Sequence, residues 1–199
     1  MIATASAVAF IIFSCKDKIG MTGRLDVAGT PVQTVEDMFI VQTENGRLQM
    51  RLEAALMEKY DADSLTYEIF PKGFAVYGYN EEGLLETEIT SDNARHLKYG
   101  DGRENWEAYG NVVVKNLMKR EVMETDTLYW DRQNEKIFTH CYVMLYSPDG
   151  FMQGYGMESD QRARESIIKR PFNSYGLVVQ DSTAVVVDSV NFIGPLLKK

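Results

Sequence analysis

The stretch Asn45-Gly46-Arg47-Leu48-Gln49-Met50-Arg51-Leu52-Glu53-Ala54 decides the fold. Asn-Gly is a strong local signal for a two-residue hairpin turn, because both residues accept positive φ, and apolar runs flank it on both sides. Beyond the turn Leu48, Met50, Leu52, Ala54 and Leu56 alternate with Arg47, Gln49, Arg51 and Glu53. A period of two sets one row on an apolar interior and the other in water. A helix would scatter the leucines around its axis. The stretch therefore reads as a strand, with its far end near Ala55 left open.

The same grammar recurs along the chain. Phe74 to Tyr79 precedes a turn at Glu81-Glu82-Gly83, after which Leu85, Thr87 and Ile89 form one row and Glu86 and Glu88 the other. Trp106 to Tyr109 leads through Gly110 and Asn111 into Val112-Val113-Val114, and Ile137 to Tyr146 reaches a turn at Ser147-Pro148-Asp149-Gly150 that Phe151 to Met157 leaves. Many short strands at such spacing predict an all-β domain. Ile89-Thr90-Ser91-Asp92, Met123-Glu124-Thr125-Asp126 and Met157-Glu158-Ser159-Asp160 share one pattern at a spacing of 34 residues. A repeated hairpin unit is the simplest cause, with each Asp closing a strand by bonding to nearby backbone.

With 199 residues the chain is long enough for one domain with a sizeable core. Its formal charge of -8, relieved by no basic tail, argues against a nucleic-acid partner. The one concentrated basic region, Arg162, Arg164, Lys169 and Arg170 around Ile167 and Ile168, reads either as a solvated edge or as an electrostatic contact with a partner or lipid headgroup.

Ala7 to Ser14 is apolar but well short of the roughly 20 residues that a helix needs to cross a bilayer. It suits the apolar part of a secretory signal, and Ile12-Phe13-Ser14-Cys15 looks like a bacterial lipoprotein processing site, with lipid on Cys15 after cleavage. No Lys or Arg precedes Lys16, which such a signal would carry, so an uncleaved anchor and an ordinary buried terminus stay open. Cys141, the other of two cysteines, then has no intrachain partner and reads as a small hydrophobe.

Nothing assembles a catalytic centre. His140 and Cys141 are consecutive, so on a strand they point to opposite faces and cannot act as base and nucleophile. There is no His-Glu-x-x-His, phosphate-binding glycine loop or nucleophile elbow. The reading is a non-enzymatic protein with no catalytic residue, metal site or cofactor. In Ile137 to Tyr146 one parity is aromatic-rich and the other aliphatic, which calls for a second buried surface or a partner. The 10 methionines suit an adaptable lining for flexible chains.

The segment Trp106-Glu-Ala-Tyr-Gly-Asn-Val-Val-Val-Lys-Asn, followed by Glu124-Thr-Asp-Thr-Leu-Tyr-Trp-Asp131 and Glu135-Lys-Ile-Phe138, resembles the LptC family, above all its lipoprotein-like Bacteroidetes forms. Phe70-Pro-Lys-Gly-Phe-Ala-Val and Gly154-Tyr-Gly-Met-Glu-Ser-Asp160 fit the same pattern, so the resemblance spans roughly residues 35 to 175. It implies an open β-jelly roll (OstA-like, of twisted stacked antiparallel sheets) tethered on the periplasmic side of the inner membrane. Such a protein takes lipopolysaccharide from the LptF and LptG subunits of the ABC transporter at one sheet edge. It passes the lipid to an LptA-like bridge protein at the other.

The expected organisation is a leader over 1–14, a tether over 15–34, the β-domain over 35–176 and an extension over 177–199, either edge strand or tail. Groove candidates, taken from the apolar rows, are Leu48, Met50, Leu52, Ile89, Val112, Val114, Met123, Val143, Leu145 and Met157, and Cys15 is the candidate lipidation site. Plain core is an equal reading for each groove candidate. The alternative function is a structural or adhesion-type envelope β-protein, which would have a closed core and no lipid ligand.

Overall fold

A computed structural model describes residues 29–62 and 65–177. The leader, Cys15, most of the tether and all but the first residue of the extension lie outside the described residues. The described chain is all β, with twelve strands in one antiparallel sheet folded into a jelly roll. The strands are β1 (Gln33–Glu44), β2 (Arg47–Ala62), β3 (Leu65–Phe70), β4 (Phe74–Tyr79), β5 (Leu85–Ser91) and β6 (Asn93–Tyr99). They continue as β7 (Glu104–Asn116), β8 (Glu121–Asp131), β9 (Lys136–Ser147), β10 (Gly150–Asp160), β11 (Ile167–Pro171) and β12 (Tyr175–Gly176).

The Asn45-Gly46 turn forms as expected, with φ of 50° and 77°, and joins β1 to β2 with Glu44 opposite Arg47. Positive φ at both positions matches the right-handed twist of the flanking strands. The strand then runs past Ala55 to Ala62, and its buried parity changes from Leu52 and Ala54 to Met57. The change coincides with a change of partner: β2 pairs β4 up to Ala54 and β3 from Glu58 onward. A strand that serves two layers has to bend between them.

β7 does the same. It pairs β6 over Glu104–Tyr109 and β5 over Val113–Asn116. Gly110 and Asn111, through which the sequence leads from one apolar run into the next, make no turn. They form a bulge inside one continuous strand, with φ of 77° and 48°, and the Gly110 carbonyl accepts from the Asp92 N–H. A bulge bends the strand and raises its twist, which carries it from one layer to the other.

Two inner rows define the layers. In one, Leu52, Val76, Ile89, Val114, Met123 and Leu145 are successive cross-strand neighbours on β2, β4, β5, β7, β8 and β9. In the other, Glu68, His96, Trp106, Trp130, Ile137 and Ser159 run across β3, β6, β7, β8, β9 and β10. Both hydrophobic clusters draw residues from both layers: one holds Val112, Met123, Leu128 and Ile137, the other Leu52, Phe70, Phe74 and Ala94. Cross-strand packing of this kind is the unit of sheet stabilisation.

The repeat is partly reflected in the fold. Thr125 belongs to a cross-strand row that runs through Val143 to Gly154 on β10, and Ser159 lies farther along that strand. Asp92 follows β5 and Asp160 ends β10, whereas Asp126 falls inside β8 at a register shift. Asp160 does bond to backbone, accepting from the N–H groups of Arg164 and Glu165 at 2.6 and 3.1 Å.

The sheet ends on two edges. Among the described residues β1 pairs only with β2, and Phe39, Ile40 and Val41 along it are exposed. At the other end β11 is held by a charge ladder in which Glu158 of β10 meets Lys136 of β9 and Lys169 of β11. The two ammonium groups hold the Glu158 carboxyl down from the ordinary 4.5 to about 2. Because its folded value is depressed, the ladder stabilises fully above about pH 4.5 and is lost as pH falls through about 2. A carbon-13 titration of the Glu158 carboxyl should show this midpoint, and Lys169→Met should move it upward. A midpoint near 4.5 in the unaltered protein would contradict the ladder.

Candidate functional site

Between the two inner rows lies a cavity of about 560 Å³, within the usual range for a small-molecule site, roughly 300–1,000 Å³. Met50, Phe74, Val76 and Ile89 line it from the β2–β4–β5 side. Trp106, Ala108, Leu128, Trp130 and Ile137 face them from β7, β8 and β9. The aromatic wall is continuous: Trp106 stands 6.1 Å from Phe70, 6.2 Å from Phe74 and 6.0 Å from Trp130 between ring centroids. The indole nitrogens of Trp106 and Trp130 are both buried with no hydrogen-bond partner among the described residues.

Asp160 to Arg164 crosses one end of the cavity as a strap. Its backbone is tied by Thr87 Oγ1, which donates to the Arg162 carbonyl at 2.6 Å, and by Asn116 Nδ2, which donates to the Ala163 carbonyl at 2.9 Å. Arg162 donates to Gln49 Oε1 at 3.1 Å. Arg164 grips Glu86 through Nε and Nη2, both at 2.8 Å, the paired-fork geometry that makes such bonds strong. The Glu86 hydrogen bond is also the main reason that the Arg164 guanidinium holds its proton more firmly than usual.

One expectation changes here. Glu86, read as part of a wet row, is buried, because a register shift opposite Tyr79 turns it inward to meet Arg164. The basic segment is a solvated edge, with Arg164, Lys169 and Arg170 exposed and β11 at the end of the sheet, and its cations also find partners within the chain. Arg162 and Arg164 tie the strap, Lys169 pairs with Glu158, and Arg170 lies 5.6 Å over the Tyr155 ring.

Of the ten groove candidates, Met50 and Ile89 line the cavity. Leu52, Val112, Val114, Met123, Val143 and Met157 are buried in the clusters around it, Leu145 packs against them half-buried, and Leu48 is half-buried beside the hairpin turn. Leu52, Ile89, Val114, Met123 and Leu145 do meet in a single cross-strand row. The reading missed the opposite wall, Trp106, Leu128, Trp130 and Ile137. Alternation at Trp106-Ala108 and Leu128-Trp130 carried that signal, since both pairs keep one parity with a large apolar member.

The described residues hold no group of three or more His, Cys, Asp or Glu side chains arranged for a metal ion. His96 presents both ring nitrogens to carboxylates, with Nδ1 3.0 Å from Glu68 Oε2 and Nε2 3.4 Å from Glu104 Oε2, and no nucleophile is among these partners. Among the described residues no helix is long and apolar enough to cross a membrane. A family model described as "Lipopolysaccharide-assembly, LptC-related" matches residues 27–170, more than half the chain. No curated protein matches it.

Proposed function

The chain belongs to the LptC-related family of lipopolysaccharide-assembly proteins, a non-catalytic family, and on that premise we propose that its inter-sheet cavity carries the acyl chains of lipopolysaccharide. The lipid arrives from the LptF and LptG subunits of the inner-membrane transporter and leaves to an LptA-like bridge protein. The observation that carries this reading is the cavity itself, about 560 Å³ walled by Met50, Val76, Ile89, Trp106 and Trp130. Each acyl methylene transferred into such a wall contributes roughly 0.8 kcal/mol, so affinity needs no catalytic group. The alternative of an envelope β-protein with a closed core is disfavoured by the same space.

The two sheet edges supply the contacts. Strand addition to β1 or β11 would join the lipid path of one protein to the next through backbone hydrogen bonds. Cys15, processed as a lipoprotein cysteine, would hold the domain on the periplasmic face of the inner membrane.

Photo-crosslinking amino acids at Met50 and Ile89, in cells with an active transporter, should trap lipopolysaccharide. The same probe at exposed Phe39 should instead trap a protein neighbour. Folded protein that gives no lipid adduct from either cavity position would sink the proposal.

A further inference from the structure

Among the described residues, lipid carriage leaves one buried titratable group without a role. His96, 3% exposed, lies between carboxylates on two different strands, Glu68 of β3 and Glu104 of β7. Its ring stacks on Trp106 with centroids 3.9 Å apart and planes 12° from parallel, and Trp106 is a wall of the cavity. A carboxylate can only accept a hydrogen bond. A neutral imidazole, with one N–H and one lone pair, satisfies only one of these two neighbours, whereas an imidazolium satisfies both. The cation then also gains from the face of the indole beneath it.

We propose that His96 is a proton-dependent positioning residue: as an imidazolium clamped between Glu68 and Glu104 it fixes Trp106 in the cavity wall, and on losing a proton it frees that wall. The contact that gives way is the longer one, 3.4 Å to Glu104, against 3.0 Å to Glu68. Glu104 has somewhere to go, because Arg132 Nη1 stands 3.9 Å from its Oε2. The Arg132 guanidinium in turn lies 5.3 Å over the ring of Trp130, the second indole of the wall. The other charges nearby are Lys59 of β2, in register with Glu68, and Lys98 of β6, in register with Glu104. The leaving proton passes to solvent on the Glu104 side, where that side chain is 36% exposed. The tie is thus complete at the acidic end and relaxes as pH rises. Its effect on lipid rests on the transport reading above, but the positioning does not.

The test uses the full chain labelled with nitrogen-15 histidine, and the exposed His140 serves as internal reference. Trp130→Phe leaves Trp106 as the single indole of a two-tryptophan protein, and fluorotryptophan in the unaltered chain reads the same site should that variant fail to fold. At the acidic end both ring nitrogens of His96 should carry protons. Raising the pH should remove the Nε2 proton and shift the Trp106 signal in one common transition, with Glu104→Gln damping that shift. A His96 ring that keeps a single proton throughout the folded range overturns the proposal, as does a Trp106 signal indifferent to His96. Binding of purified lipopolysaccharide should change across the transition by roughly fivefold or more, the lower end for two linked sites. Binding that stays flat while Trp106 moves overturns the link to lipid. No binding at any pH overturns the transport reading and leaves the clamp to be judged on the first two signals.

Discussion

Phe70→Ala should destabilise the protein by about 3–5 kcal/mol, the range for truncating a fully buried aromatic ring. Phe70 is 1% exposed and lies where the chain leaves β3 to turn into β4. Its ring centroid is 5.0 Å from Phe74 and 6.1 Å from Trp106, so it props the aromatic wall of the cavity from behind. The two layers diverge at this corner, and neighbouring side chains have little freedom to collapse into the space left. Urea unfolding measures the loss directly, and the thermal midpoint should fall by about 10 °C. Phe39→Ala, at a position 61% exposed on β1, should stay within about 0.5 kcal/mol. A cost at Phe70 no larger than at Phe39 would mean that the corner is not a core.

Gly154→Ala should detach the final edge. A β-carbon at Gly154 would sit 2.5 Å from the Arg170 carbonyl oxygen and 2.5 Å from Ile168 Cγ2. The first of these is backbone and cannot swing aside as a side-chain tip would. β10 and β11 pair through this point, with Gly154 opposite Pro171 and Met157 opposite Ile168. Overpacking of this kind typically costs about 1–3 kcal/mol. The structural outcome should be larger than that figure suggests, since Ile168 is buried in the main cluster and leaves with the strand. Hydrogen exchange over 167–171 should rise while the amides of β2 and β4 keep their protection. Unchanged exchange over 167–171 would show that the strands tolerate the extra carbon.

How far the fold could be read ahead depended on how local each signal was. Asn45-Gly46 was legible because turn and register are both set within a few residues. Gly110-Asn111 carries the same kind of signal, with positive φ at both positions, yet makes a bulge. What separates the two is the hydrogen bond from Asp92 to Gly110, a contact that pairing brings about and spacing does not announce. Glu86 was misread for the same reason. A charge in an alternating strand belongs in water unless an opposite charge arrives, and Arg164 arrives from 78 residues away. At the site, the aliphatic row from Leu52 to Leu145 followed from period-two alternation. That Trp106 and Trp130 close the space in front of it did not, because parity assigns a side chain to a face and not to the layer opposite.

The two sheet edges have a consequence for supply as well as for contact. A chain that presents exposed Phe39, Ile40 and Val41 along the edge strand β1 and ends its sheet on β11 at the far side has two valences that do not neutralise each other within one copy. Joining unlike edges head to tail generates an open series unless the rotation at each step closes it into a ring. Copy number relative to partners then becomes part of the design. On the proposed function, a copy matched to its neighbours is a link in a bridge, and one in excess of them meets its own next copy as the nearest strand.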